Sequence, residues 1–292
     1  VIMSGMFITF FLILNYLPND MTFTSALHIA GANDKMNIVD FSFNPEEKYT
    51  FWSGITGGFF LALAYFGTDQ SQVGRYLSGK SVRESQMGLI MNGLLKVPMQ
   101  FFILLTGVMV FVFFQFNPVP LNFNPNNKIA IEKSKYKNEY HLLEKKLEAL
   151  SEDKKVINLL YIDQLNQDYD NPILRKELVA LSSKEKDLRD HARELIQKAD
   201  NRSETNDKDY VFFHFILNYL PKGLIGLLLA VIISAAMSST ASGLNALAST
   251  TAIDIYKRNI KEEKTEKHYV NVTKFFTLFW GIVAILFASI GT

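Results

Sequence analysis

The chain has 292 residues, of which 48% are hydrophobic and 20% are charged, and its formal net charge is +1. A charge balance so near zero gives no indication of nucleic-acid binding, and the lack of cysteine excludes disulfides and cysteine-ligated metal sites. The mean hydropathy of +0.08 averages one strongly charged block with several long apolar segments, which indicates an integral membrane protein.

Four or five apolar segments have the length expected of membrane spans, because a helix needs about 20 apolar residues to cross a bilayer. The sequence therefore predicts an all-α integral membrane protein. Both Val1 and Thr292 fall in apolar segments, so we interpret the chain as a piece of a larger membrane protein. The predicted spans lie at about 1–17, 52–67, 87–116, 222–253 and 273–291.

The charges of the connecting loops predict their sidedness. Loops 68–86 and 254–272 are rich in lysine and arginine, and short loops of this kind stay in the cytoplasm. We therefore expect these two loops to be cytoplasmic and loops 18–50 and 117–221 to be extracytoplasmic. This alternation predicts a multi-pass protein of the plasma, or inner, membrane in contact with bilayer lipid.

Segment 52–67 ends near Tyr65 and contains Gly54, Gly57 and Gly58. Glycines permit either a helix break or a close helix crossing, and broken helices form ion and substrate sites in many transporters. Tyr65 is therefore a candidate gate or ligand-stacking residue. Aromatic residues at span ends also act as interface anchors, and the residue pattern alone leaves both interpretations open.

Asp69, Gln70 and Arg75 follow at the cytoplasmic mouth of this segment. An ion pair between Asp69 and Arg75 would fit their spacing, and we interpret the three residues as a structural cluster.

Asn92, Lys96 and Gln100 form a polar stripe on the next span, since residues four apart share one face of a helix. Lys96 lies about ten residues into the span, roughly 15 Å deep at 1.5 Å per residue. A charge at this depth is costly unless it faces a partner or a cavity, so the stripe is a candidate substrate-binding surface. A buried structural ion pair, or a lysine that snorkels to the interface, is the alternative.

The segment 127–209 is highly charged, nearly balanced in sign and poor in glycine. Leucines and isoleucines recur at helical spacing on both sides of the sequence Asp170-Asn171-Pro172, which predicts a helical hairpin broken at that point. We expect a solvated, salt-bridged spacer or, as the alternative, a surface for a protein partner. The resulting division is membrane spans at 1–126, an extracytoplasmic helical insert at 127–209, and an interfacial helix with further spans at 210–292.

Small hydroxyl residues occupy one face of the helix predicted after residue 222. Ser234, Ser238, Ser242, Asn245 and Ser249 fall at spacings of three to four, with Ser239 beside them. Such a stripe either allows two helices to approach closely or offers oxygen ligands to a small cation. Spacing alone does not decide between these two interpretations.

Two motifs carry a resemblance to a known family. GTDQSQVGRYLSGKS at 67–81, followed at a fixed distance by Lys96, and AAMSSTASGLNALASTTAIDIYK at 235–257 resemble the sodium:solute symporters. That family includes the sodium/glucose, sodium/proline and sodium/sialic acid carriers. The resemblance covers roughly 1–116 and 210–292, and the insert is longer than most family members carry at this loop.

The resemblance implies a LeuT-like fold of two inverted five-helix repeats, of which the chain holds the end of the first and most of the second. It also implies a sodium ion bound by the Ala235 carbonyl and the Ser238 and Ser239 hydroxyls, with the remaining ligands supplied by the family's first core helix. Tyr65 matches the family's inner-gate tyrosine, and Lys96 matches the pocket lysine of the sugar carriers.

One position departs from the family pattern, since Ala62 stands where the sugar carriers have a pocket asparagine. This departure argues against binding of a galactose-like sugar.

The resemblance leads us to expect sodium-coupled symport of a small organic solute, with Na⁺ as the coupling ion and without an organic cofactor. The solute could be a sugar, a carboxylate or an amino-acid-like molecule. A transporter-like sensor, an uncoupled carrier, or a scaffold whose working part is the hairpin are the alternatives. We do not expect an enzyme, because no nucleophile–base pair or metal-ligand motif is evident in the sequence.

Overall fold

The computed structural model describes residues 2–37, 39–44, 50–77, 79–260, 262 and 264–290, with the side chains of Ile2 and Arg75 excepted. All regular structure within these ranges is helical, which confirms the predicted all-α class. Two π-helical segments follow the third and tenth helices, at Ala64–Thr68 and Thr251–Lys257. The α-helices are α1 (Ile2–Asn15), α2 (Phe23–Ala32), α3 (Phe51–Leu63), α4 (Gln70–Leu77), α5 (Val82–Phe113), α6 (Pro125–Glu132), α7 (Lys137–Leu165), α8 (Pro172–Ala199), α9 (Lys208–Tyr219), α10 (Lys222–Thr250) and α11 (Glu266–Ile290).

Three helical stretches in the described part of the chain are long and apolar enough to cross a membrane. They are Val82–Phe113, Lys222–Lys257 and Glu266–Ile290, and they match three of the predicted spans. The predicted spans at 1–17 and 52–67 contain the shorter apolar helices α1, of 14 residues, and α3, of 13 residues.

By internal contacts the chain divides into two units, and the first comprises Val1–Ile38 and Pro98–Leu228. Its core contains the fully buried side chains of Ile13, Ile29 and Phe113. The Phe113 ring packs edge-on against Phe215 at 5.0 Å and against Tyr219 at 4.7 Å between ring centroids. Aromatic packing of this kind joins the end of α5 to α9.

Helices α7 and α8 form the predicted hairpin, and both belong to this first unit. Helix α8 begins at Pro172, and the Asn171 side chain accepts a hydrogen bond from the Ile173 amide at 2.8 Å. An asparagine cap followed by proline at the first helical position is a strong helix start, so the break falls where the sequence predicts it. The proposed segment boundaries at 126 and 209 stay a prediction.

A partly buried ion cluster links the two hairpin helices to the segment that follows α5. The Lys154 side chain is only 5% exposed, and its ammonium lies 3.0 Å from a carboxylate oxygen of Glu185. Arg189 pairs with the other Glu185 oxygen at 3.0 Å. Its guanidinium also donates to the carbonyls of Pro120 at 3.0 Å and Leu121 at 2.9 Å. The cluster therefore fixes the hairpin to residues 68 or more positions away in the sequence.

Asn158 in α7 is fully buried, and neither its side-chain nitrogen nor its side-chain oxygen has a hydrogen-bond partner among the described residues. A buried polar group left in this way costs about 1–3 kcal/mol. We therefore expect Asn158→Leu to raise the melting temperature by several degrees, measured by circular dichroism of the full chain in detergent. Asn138→Leu, at an exposed position of the same helix, should leave it nearly unchanged. A lower melting temperature for Asn158→Leu would contradict this expectation.

The second unit comprises Val39–Val97 and Leu229–Thr292. Its helices carry large apolar side chains on their outer surfaces, such as Phe60 at 69% exposed and Phe287 at 77% exposed. Extended apolar surface of this kind marks contact with a membrane or with other helices. A hydrogen bond joins the π-helical segment after α10 to α11, since the Trp280 indole donates to the Thr251 hydroxyl at 3.0 Å.

Candidate functional site

The hydroxyl groups of Ser238 and Ser239 lie on α10, where both residues are exposed. Serine and threonine in helices commonly donate to the carbonyl four residues earlier, as Thr240 does to Ala236 at 2.9 Å and Ser289 does to Ile285 at 2.9 Å. The hydroxyls of Ser238 and Ser239, in contrast, have no hydrogen-bond partner within the described part of the chain. Their oxygen lone pairs are therefore available to a ligand.

Ala235 lies one helical turn before these serines and is also exposed. A helical carbonyl accepts one intrahelical hydrogen bond and keeps a second lone pair. One carbonyl and two hydroxyls are neutral hard oxygen donors, which suit a hard cation. The donor set therefore fits a sodium ion without a carboxylate ligand.

Tyr65 and Lys96, two candidates from separate parts of the sequence, contact each other in the second unit. The Lys96 ammonium lies 5.3 Å from the centroid of the Tyr65 ring, within the range of a cation–π interaction. Tyr65 is half-buried and lies on the π-helical segment Ala64–Thr68. The contact gives Lys96 a partner that keeps its positive charge available.

The structure places the other candidate site residues of α3 and α5 at exposed positions of these helices. Ala62 lies on α3, three residues before Tyr65, and is exposed. Asn92 and Gln100 are exposed on α5, one turn to either side of Lys96. The polar stripe therefore exists as a helix face. No hydrogen bond or ring contact within the described residues joins Ser238 or Ser239 to Tyr65 or Lys96.

Asp69 performs a structural role at the start of α4. Its carboxylate accepts hydrogen bonds from the Ser71 amide at 2.9 Å and the Ser71 hydroxyl at 2.7 Å, and this arrangement stabilises the first turn of the helix. Gln70 is the exposed first residue of α4. The predicted ion pair of Asp69 with Arg75 lies outside the described residues, because the Arg75 side chain is not among them.

The two π-helical segments were not predicted from the sequence. Both lie at the ends of candidate site helices, Ala64–Thr68 after α3 and Thr251–Lys257 after α10. Helix α3 itself is continuous through its three glycines, so the irregularity falls beyond them, at Tyr65. Short π-helical segments often occur at functional sites, yet no residue pattern reliably predicts them.

Comparisons with known proteins find similar sequences for part of the chain. The model of the sodium:solute symporter family matches residues 198–290, a range that contains the serine pair. The human sodium/iodide cotransporter is 32% identical over 66 residues, which cover 23% of this chain and 10% of that protein. The mouse sodium-coupled monocarboxylate transporter 2 is 34% identical over 70 residues, covering 24% of this chain and 11% of that protein.

A third relative, the human sodium-coupled monocarboxylate transporter 1, is 36% identical over 69 residues, which are 24% of this chain and 11% of that protein. The matched segments thus span about a tenth of the length of these curated relatives. No solved structure matches the chain significantly. The relatives are named as transporters rather than enzymes, and residues 198–290 of this chain are similar to the sodium:solute symporter family.

Proposed function

We propose that the chain is part of a sodium-coupled symporter that moves a small organic solute by alternating access. The observation that carries the proposal is the pair of exposed hydroxyls of Ser238 and Ser239, which have no hydrogen-bond partner among the described residues and lie within the family-matched range 198–290. Hydroxyls without partners are costly in lipid. A bound cation gives these oxygens a favourable interaction.

The proposed sodium ligands from this chain are the Ala235 carbonyl and the Ser238 and Ser239 hydroxyls. The further ligands are expected from the family's first core helix, in the LeuT-like inverted-repeat arrangement that we propose for the complete transporter. A ligand shared between two helices favours the conformation in which both are close. Sodium would therefore stabilise the outward-open, substrate-competent state by its higher affinity for that state.

The driving force for release follows from the membrane potential. Moving one positive charge inward provides about 2.3 kcal/mol per 100 mV, which is a factor of roughly fifty in equilibrium at that potential. The sidedness that couples this force to uptake is the one proposed from loop charge. Loops 68–86 and 254–272 face the cytoplasm of a plasma or inner membrane, and loops 18–50 and 117–221 lie outside.

Among the three solute classes, the observations favour a small carboxylate. The relatives are named for iodide and for monocarboxylates, which are both anions. Lys96 supplies a positive charge beside the Tyr65 ring, and Ala62 removes the amide on which the sugar carriers rely. We propose that Lys96 attracts the solute carboxylate and that the Tyr65 ring closes the pocket on its inner side. A protein partner at 127–209 stays a prediction that no relative's name supports.

This assignment predicts that Lys96→Gln lowers sodium-driven uptake of ¹⁴C-propionate by about tenfold or more, because the anion loses one charge–charge interaction at membrane depth. Uptake would be measured in cells expressing the complete gene product under an inward sodium gradient. Lys80→Gln, which removes an exposed loop lysine, serves as the matched control and should behave as wild type. Equal uptake by Lys96→Gln and wild type would exclude Lys96 from the pocket.

A further inference from the structure

A second candidate binding site lies in the first unit, remote in sequence from the serine pair. A cavity of about 260 Å³ opens between the end of α2, the outer part of α5 and the two hairpin helices. Neutral groups on its wall include Ser182, whose hydroxyl donates to the Asn33 side-chain oxygen at 2.6 Å. Its charged lining residues are Lys35, Lys154, Glu185, Lys186, Arg189 and Arg193.

The cavity has a clear excess of positive charge. Five of the charged lining residues are cationic and one is a carboxylate. Arg193 also pairs with Asp190 at 2.7 Å and with Asp207 at 3.4 Å. Counting these two carboxylates with Glu185 leaves a surplus of two positive charges around the cavity. Lys35 and Lys186 have no carboxylate within ion-pair distance among the described residues.

Three of the five cations have contacts that hold them in place before any ligand arrives. Lys154 and Arg189 are each bonded to Glu185 at 3.0 Å, and Arg189 is further bonded to two backbone carbonyls. The Lys35 ammonium lies 5.1 Å from the centroid of the Phe111 ring. Binding therefore needs little ordering of the wall, and preorganised charges bind with a smaller entropic cost. The partly buried position of the cluster also limits the screening of its field by salt.

We propose that this cavity is a binding site for a small monoanion, a halide ion or a short-chain carboxylate. Its volume is below that of pockets which enclose drug-sized ligands, so an anion of few heavy atoms fits, and its surplus charge exceeds what one such anion neutralises. The proposal goes beyond sodium-coupled transport, because it concerns residues of the insert and its supporting loop and does not require Ser238, Ser239 or Lys96.

The test is equilibrium binding of ¹²⁵I-iodide and of ¹⁴C-propionate to the purified full chain in detergent, in low-salt potassium buffer without sodium. We expect saturable binding of at least one of the two anions. The double variant Lys35→Gln/Lys186→Gln should bind about 25-fold more weakly, since each exposed charge contributes roughly fivefold. Lys184→Gln, an exposed lysine on α8 that does not line the cavity, is the matched control and should bind as wild type.

A charge-conserving variant and a competition between the two anions test the proposal further. Lys35→Arg/Lys186→Arg keeps the charges and should bind within about threefold of wild type, which separates charge from loss of folding. If iodide displaces propionate, the site accepts monoanions in general, and binding of only one of them narrows the class. The proposal is overturned if neither anion binds saturably or if the glutamine double variant binds like Lys184→Gln. Because the buffer lacks sodium and no transport is measured, this failure would leave the proposed symport untouched.

Discussion

Replacing Glu185 with alanine is expected to destabilise the protein by about 3–5 kcal/mol, because Lys154 would then be a buried ammonium without its counter-ion. The Lys154 side chain is only 5% exposed, and Glu185 is the carboxylate that it contacts. Arg189 would lose its ion-pair partner as well. In a thermal melt of the full chain in detergent, we expect the first unit to unfold about 10 °C lower.

A matched control distinguishes the effect of losing Glu185 from the effect of removing a glutamate elsewhere on the same helix. Glu194→Ala, on the same helix, deletes a pair with Lys198 in which both side chains are more than half exposed, and such pairs contribute less than about 1 kcal/mol. The double variant Lys154→Met/Glu185→Leu should recover most of the lost stability, since an apolar pair removes the buried charge altogether. If the Glu185→Ala and Glu194→Ala variants have the same melting temperature, the ion cluster does not stabilise the hairpin.

The same cluster predicts a dependence on pH. Burial alone raises the pKa of Glu185, but Lys154 and Arg189 outweigh burial and hold the pKa below its ordinary value of 4.5. A folded-state pKa below the unfolded value means that the ionised carboxylate stabilises the fold above the unfolded pKa. This contribution is lost as the pH falls through the folded-state value. The difference in melting temperature between wild type and Glu185→Ala should therefore narrow below about pH 4.5.

The second large effect concerns transport. Ser238→Ala/Ser239→Ala is expected to abolish the sodium dependence of propionate uptake by the complete gene product, with a fall of at least about tenfold under a sodium gradient. The variant removes both side-chain oxygens proposed to bind the ion, and loss of a few cation ligands of this kind weakens binding by one or more orders of magnitude. Uptake would be compared in sodium and in matched potassium.

Ser289→Ala is the control for this variant, because its hydroxyl is bonded to the Ile285 carbonyl and lies on α11. It should transport as wild type. Uptake by the double alanine variant that still rises with sodium would place the ion elsewhere. Uptake that is equal in sodium and potassium already in wild type would indicate an uncoupled carrier.

The positions of most helices could be predicted from the sequence because their signals are local. Apolar length marks α5, α10 and α11, and Asn171 with Pro172 marks the start of α8. Each signal acts within a few residues of the structure that it determines. For the same reason, the helical hairpin was predictable although nothing in the sequence states where it packs.

The burial of Lys154 could not be predicted in this way. It stands beside Lys155 in a charged helix, a pattern typical of a solvated face. Its burial depends on Glu185, which is 31 residues away, and on Arg189, whose own carbonyl partners at Pro120 and Leu121 are 69 and 68 residues away. Tertiary contacts of this separation leave no periodic trace in a single sequence.

The candidate site likewise combines features that could be predicted from the sequence with features that depend on tertiary contacts. Tyr65 was predicted from its place at the end of an apolar segment and Lys96 from its depth in a span, but their contact at 5.3 Å could be found only in the structure. The π-helical segment that carries Tyr65 has no sequence signature. The remaining sodium ligands are expected from the family's first core helix, so the full geometry of the ion site stays a prediction.

Thermal stability of the complete gene product in sodium against matched potassium, for wild type, Ser239→Ala and Ser289→Ala, tests the central claim most directly. A ligand that binds only the folded state stabilises it by RT ln(1 + [L]/Kd), so the melting temperature rises with the concentration of the ligand. The account predicts a sodium-specific rise in wild type and Ser289→Ala that Ser239→Ala loses. Equal melting temperatures in the two salts for wild type, or an undiminished rise in Ser239→Ala, would contradict sodium binding at the serine pair.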